Sequence, residues 1–222
     1  MAGRLSLLGA GKQTIAVAGD WWLAGGINVA NCVAAYLAKG SADYATSKVN
    51  LANPGTYNAT DGDQYPTWEA ATGWTFSLGK YLNTGIAPTN GWSLVVRLDA
   101  DDLSGVPMMV QGGTGKEFGF STCFYNNTYL WYGASGELSS TKTITDCVAA
   151  IAGGSFYINS SPVIANVSWS AGDNTVPIRI GGIFNGVSFN EPFSGKIYAV
   201  AFYNTSISSA QVAALTTAMN AL

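Results

Sequence analysis

Seven residues near the C-terminus, Lys196 to Phe202, constrain this chain more than any other stretch. On an extended strand Ile197, Ala199 and Ala201 take one face, and Lys196, Tyr198, Val200 and Phe202 take the other. Both faces are largely apolar, so the strand belongs inside layered β structure and not at an edge. Before it, Val176 to Gly182 reads VPIRIGG, a strand closing in a turn. After it, Ser208-Ser209-Ala210-Gln211 has the form of a capping box, in which hydroxyl and amide satisfy the free N–H groups of a helix's first turn. One short helix is therefore expected to close an otherwise all-β chain.

The same rhythm continues upstream. Strands are expected at residues 32–37, 74–77, 81–84, 92–98, 107–111, 118–124, 129–132, 148–152, 155–158, 163–168, 176–180 and 196–204, with Gly or Asn between many of them. From Trp92 to Leu98 the even positions Trp92, Leu94, Val96 and Leu98 share one face, and Ser93, Val95 and Arg97 share the other. Residues 38–74, with turn signals at Asn53-Pro54-Gly55 and Asp61-Gly62, read as a long loop across the sandwich with one short helix near Ala42–Lys48. Residues 1–30 read as an extended N-terminal arm, with a strand at Ile15–Ala18 and an isolated Trp21-Trp22 pair, and residues 31–222 as one sandwich domain. A chain of 222 residues suits one such domain.

Composition removes several function classes. Charged residues make up 10% of the chain, against about 25% in an average domain, and net charge is −3 without a basic cluster. A nucleic-acid backbone is thus not an expected partner. No apolar run is long enough for a membrane helix, and Lys12 and Gln13 interrupt the one stretch resembling a signal peptide, so no cleaved leader is expected. The absence of histidine excludes Ser-His-Asp and Cys-His catalysis and histidine-ligated metals. Cys32, Cys123 and Cys147 read as buried free thiols, with a Cys123–Cys147 bridge left open.

The closing segment, a Gly-bounded strand from Gly195 followed by Ser208-Ser209-Ala210-Gln211-Val212 and Leu215, resembles that of concanavalin A-like jelly rolls of the laminin-G type. Phe156-Tyr157-Ile158-Asn159-Ser160-Ser161 is similar to a mid-chain hairpin of the same folds. The resemblance covers about Trp74 to Ala221 and implies a jelly-roll β-sandwich of two antiparallel sheets with a short C-terminal helix. Upstream, Asn31 to Tyr36, Lys48 to Gly55, Trp68, Gly73 to Phe76 and Tyr81 to Gly85 resemble tailed-bacteriophage structural proteins that carry laminin-G-like modules.

Candidate sites are few. Hydrolases on this fold carry a Glu-x-Asp-x-x-Glu cluster on one strand, and no such string occurs here. Carboxylates converging from separate strands would have to come from Glu69, Glu117 or Glu191. Asp99, Asp101 and Asp102 could hold calcium, since laminin-G modules often use it, but they fit no calcium loop and read as turn residues. Asn126, Asn127, Tyr129, Trp131 and Tyr132 form the best glycan-binding stretch: aromatic faces stack on sugar C–H surfaces and Asn amides pair with hydroxyls. The competing reading is that these aromatics are strand residues packing across the pleat. Trp21 and Trp22 would dock the arm on a neighbouring subunit, or fold back on their own sandwich.

These observations lead to the expectation of a non-enzymatic virion structural protein of a tailed phage, a capsid decoration or a tail or fibre module. It would assemble in the host cytoplasm, pack against other virion proteins and copies of itself, and offer a surface for host glycans. A soluble carbohydrate-binding lectin and a polysaccharide hydrolase are the alternatives.

Overall fold

The computed structural model describes residues 19–101, 107–111, 117–121, 128–133, 137–141, 144–168, 175–184, 187, 189–190 and 192–222. These form an all-β sandwich closed by one helix. The first sheet holds β1 (Cys32–Leu37), β3 (Thr67–Glu69), β4 (Gly73–Phe76), β6 (Ser93–Ala100), β11 (Cys147–Ala152), β12 (Ser155–Ile158), β13 (Ser161–Ile164) and β17 (Gly195–Tyr203). The second holds β2 (Thr60–Asp61), β5 (Leu82–Asn83), β7 (Met108–Gln111), β8 (Glu117–Phe120), β9 (Thr128–Gly133), β10 (Glu137–Ser140), β14 (Arg179–Ile180), β15 (Ile183–Phe184) and β16 (Phe189–Asn190). The described pairs are antiparallel except β15 with β7. Two helices, α1 (Tyr44–Ser47) and α2 (Ser209–Asn220), complete the elements used below. No helix among the described residues is long and apolar enough to cross a membrane.

The core between the sheets takes Leu94, Val96 and Leu98 of β6, as their alternation requires, and sets them among Phe118, Phe120, Leu130 and Ile180 of the facing sheet. Phe120 and Phe156 meet across it with ring centroids 5.0 Å apart.

Strand β17 departs from strict alternation. The register slips at Tyr198, between Ile197 opposite Leu98 and Ala199 opposite Arg97. This β-bulge reverses parity beyond it. Ile197 therefore shares the sandwich core with Val200 and Phe202, while Ala199, Ala201 and Tyr203 face the other side. There α2 covers them with Val212, Leu215 and Met219, each contributing about 1.5–3 kcal/mol when fully buried. The capping box is formed: Ser208 Oγ accepts from Gln211 N at 3.3 Å, and Gln211 Oε1 accepts from Ser208 N at 2.9 Å.

Residues 19–31 do not extend away as an arm. A 3-10 turn, Trp21–Leu23, packs beside α2 on this outer face, where Trp21 and Trp22 are only 5% and 7% exposed. Their rings meet edge to face at 5.7 Å, and the Tyr203 hydroxyl donates to the Trp22 carbonyl at 2.8 Å. The expected docking of Trp21 and Trp22 on a neighbour is corrected accordingly: an uncovered apolar strand face lies within the same chain, and the pair buries itself there. The strand expected at 15–18 lies outside the described residues.

The stretch read as a loop, 38–74, carries α1, β2, β3 and the start of β4, and one amide anchors it to β1. Asn50 is wholly buried; its Oδ1 accepts from Ala35 N and Ala52 N, and its Nδ2 donates to Val33 and Thr56 carbonyls. It thereby satisfies the free edge of β1 as a neighbouring strand would. The thiols of Cys32 and Cys147 are buried and free, so Cys147 is not bridged; burial pushes both up to about 12.

Trp22→Ala is expected to lower unfolding free energy by about 3–5 kcal/mol through the cavity it leaves. Solution mass by light scattering should not change, whereas a Trp pair serving assembly would convert an oligomer to monomer.

Candidate functional site

The outer face of the first sheet is largely taken by α2 and the Trp turn, while the second sheet presents an open cleft near its β2 edge. The cleft, about 580 Å³, is lined by Asp63, Gln64, Gly79, Tyr81, Asn83, Arg179, Phe184 and Val187. Strand alternation explains its polar floor: Leu82 and Ile180 enter the core, so the residues beside them, Asn83 and Arg179, face outward. The two stand opposite each other across β5 and β14.

Backbone and side-chain bonds hold this corner. The buried Thr84 hydroxyl donates to Ile178 O at 2.7 Å and accepts from Ile86 N at 3.1 Å, tying β5 to the segment that enters β14. Asn83 Nδ2 donates to Asp61 O at 3.1 Å, which joins β5 to β2. Asp61 in turn receives the Tyr44 hydroxyl at 2.6 Å and the Lys48 ammonium at 2.8 Å.

Arg179 is clamped. Its guanidinium carbon lies 3.4 Å from the Phe184 ring centroid and 4.6 Å from that of Tyr81. The Tyr81 hydroxyl donates to Asp63 Oδ2 at 3.2 Å. The Tyr81 ring is itself backed by Gly62, where an added Cβ would stand 2.4 Å from the ring. The rim is apolar and open: Val187 is 93% exposed, and Leu78, next to Gly79, is 80% exposed.

The sequence-predicted residues divide. Tyr132 is not at the surface; it pairs with Phe118 across β8 and β9 and is buried beside it, ring centroids 6.2 Å apart. Alternation that sends Leu130 inward sends Tyr132 inward also. Asn126 and Asn127 lie outside the described residues. Tyr129 and Trp131 occupy the intervening positions of β9, opposite Ser139 and Glu137 of β10. Backbone register carries one row across the sheet from Thr60 through Asn83, Arg179, Met109 and Gly119 to Trp131.

Two of the calcium candidates, Asp99 and Asp101, fall within the described residues. Asp99 lies 4.0 Å from the Lys196 ammonium and accepts from the Tyr198 hydroxyl at 3.4 Å, so a protein cation already stands beside it. Asp101 is exposed, and Asp102 lies outside the described residues. No group of three His, Cys, Asp or Glu among the described residues could hold a metal. Glu69 and Glu117 are on different sheets, and Glu191 lies outside the described residues.

Asp63, Gln64, Arg179 and Phe184 were not singled out in the sequence. Arg179 had a readable signal: a cation between Ile178 and Ile180 on a strand must face away from the core. Phe184 follows it by five residues, but Tyr81, Asn83, Asp63 and Gln64 come from about a hundred residues earlier, and no spacing links them to it.

Neither a protein-family model nor a curated protein matches the sequence. Solved structures do match. A sialidase from Trypanosoma rangeli in complex with 2,3-difluorosialic acid aligns with TM-score 0.64 and 15% identity over 86% of this chain and 33% of the sialidase. Domain 4 of an extracellular arabinanase from Geobacillus stearothermophilus, in complex with arabinotriose, aligns with TM-score 0.53 and 16% identity over 84% of this chain and 98% of that domain. The chain spans about a third of the sialidase's length. At these identities the likeness is one of fold, and the class defined is an all-β sandwich that also occurs in glycosidases.

Gly62→Ala should displace the Tyr81 ring and with it the Arg179 clamp, at a cost of about 1–3 kcal/mol from overpacking. Circular dichroism melts should register that loss while the far-ultraviolet spectrum stays β-type; unchanged stability would contradict the packing described.

Proposed function

We propose that this chain is a non-enzymatic carbohydrate-binding module whose ligand lies in the Arg179 cleft on the outer face of the second sheet. The carrying observation is the convergence in one open cleft of Asn83 and Arg179, on hydrogen-bonded strands, with Asp63 and Gln64 from the turn after β2. Sugar hydroxyls both donate and accept. A carboxylate and amide oxygens beside amide and guanidinium N–H groups match them, and the apolar rim suits sugar C–H surfaces. The arabinanase domain, which this chain matches over nearly its whole length, was solved with arabinotriose, and that supports the reading. Trp131, in the same backbone row, stands three strands from Arg179, or ~14 Å at the usual strand spacing, within reach of one oligosaccharide.

Binding without turnover is favoured by the cleft's carboxylates. Retaining glycosidases hold two carboxyl groups about 5 Å apart. The described lining supplies one, Asp63. A place on a phage particle, as capsid decoration or tail module, is a narrower form of the same reading, with the sandwich carried on a virion and turned toward host glycans. The neighbours named above are glycosidase proteins and lend the virion setting no support.

Screening the intact protein on a glycan array, followed by titration calorimetry, tests the reading. Saturable binding is expected, weakened about tenfold by Asn83→Ala, the effect of losing one well-placed hydrogen bond. A folded protein that binds no glycan would overturn it.

A further inference from the structure

We infer that the sugar recognised in this cleft carries a carboxylate, and that Arg179 is the residue that selects it; this rests on the carbohydrate-binding reading. The guanidinium carbon lies 3.4 Å from the Phe184 ring centroid and 4.6 Å from that of Tyr81, with the Tyr81 hydroxyl as one hydrogen-bond partner, and a ligand would meet the N–H groups of the planar fork that Tyr81 does not take. The spacing of that rigid fork matches the two oxygens of a carboxylate, and such charge-assisted bonds are roughly twice as strong as those to neutral hydroxyls.

Among the described residues no carboxylate forms an ion pair with the fork. Arg97 pairs with Asp146, Lys48 with Asp61, and Lys196 with Asp99. Arg179 has no carboxylate oxygen within that same 4.0 Å reach among the described residues. Desolvation by the surrounding rings, partly offset by the Tyr81 hydroxyl and Asp63, holds the guanidinium below its ordinary value; a ligand anion would compensate that desolvated charge.

The rest of the cleft is not built for a bare anion. Asp63, which accepts from the Tyr81 hydroxyl and favours the Arg179 charge, is also an acceptor for sugar hydroxyls and would repel phosphate or sulfate placed across the whole site. Asn83 and Gln64 add amides that serve hydroxyls of either sense. The arrangement has a cationic wing and a hydroxyl-binding wing. A uronic or nonulosonic acid residue within an oligosaccharide offers both groups on one ring.

Titration of the intact protein with trigalacturonate, its methyl ester, sialyllactose and lactose, at low and high salt, tests this without altering the protein. At least one acid should bind about tenfold or more tighter than its neutral counterpart, with the advantage shrinking at high salt. Preference for trigalacturonate or for sialyllactose would identify the source of the carboxylate, and either supports the inference. Arg179→Lys should reduce the acid to the level of the ester, and Arg97→Lys, on the other sheet, should not. Equal binding of acids and neutral counterparts would overturn the inference while leaving a carbohydrate-binding module. Failure of these sugars and of a broad neutral array alike would overturn both.

Discussion

Burial of β17 on both faces is the constraint on which the remaining structure depends. One face, with Ile197, Val200 and Phe202, closes the sandwich core. The other, with Ala199, Ala201 and Tyr203, would be an exposed apolar stripe without α2 and the Trp turn over it. Small alanines let the helix approach closely, and Gly25 does so as well: a Cβ there would lie 3.0 Å from that of Ala214. The bulge at Tyr198 allows one strand to serve both layers, because it moves Val200 and Phe202 into phase with Ile197.

This asymmetry places the site. One sheet has much of its outer face under a helix, and the other keeps an open cleft near its β2 edge. Its strands β5 and β14 are only two residues each, yet Leu82 and Ile180 anchor them in the core and the Thr84 hydroxyl locks their approach. Asn83 and Arg179 then project from a fixed base. Sites on strands hold their geometry more closely than sites on loops. Contact of Arg179 with two rings adds rigidity to a long side chain whose freedom would otherwise weaken binding.

The fold was legible where local pattern and tertiary demand coincide. Cys32–Leu37 and Ser155–Ile158 fall where period and turn signals put them, and the capping box at Ser208 and Gln211 forms as written. The Tyr198 bulge was not legible, because alternation is counted from sequence and a bulge changes the count. Asn50 looked like one more loop asparagine; its role depends on the free edge of β1, a tertiary fact. The glycan-binding stretch was half legible. Aromatic density drew notice to Tyr129, Trp131 and Tyr132, but burial took Tyr132, and the polar cleft is assembled from segments far apart in the chain.

The central claim is that ligands meet the outer face of the second sheet at Arg179. Mapping amide chemical-shift changes in the intact protein on addition of a bound oligosaccharide tests it most directly. The account predicts that the largest changes fall in residues 62–64, 79–83 and 179–184, with a second group near Trp131 for longer ligands. Changes centred instead on α2 or around Tyr198 would contradict it.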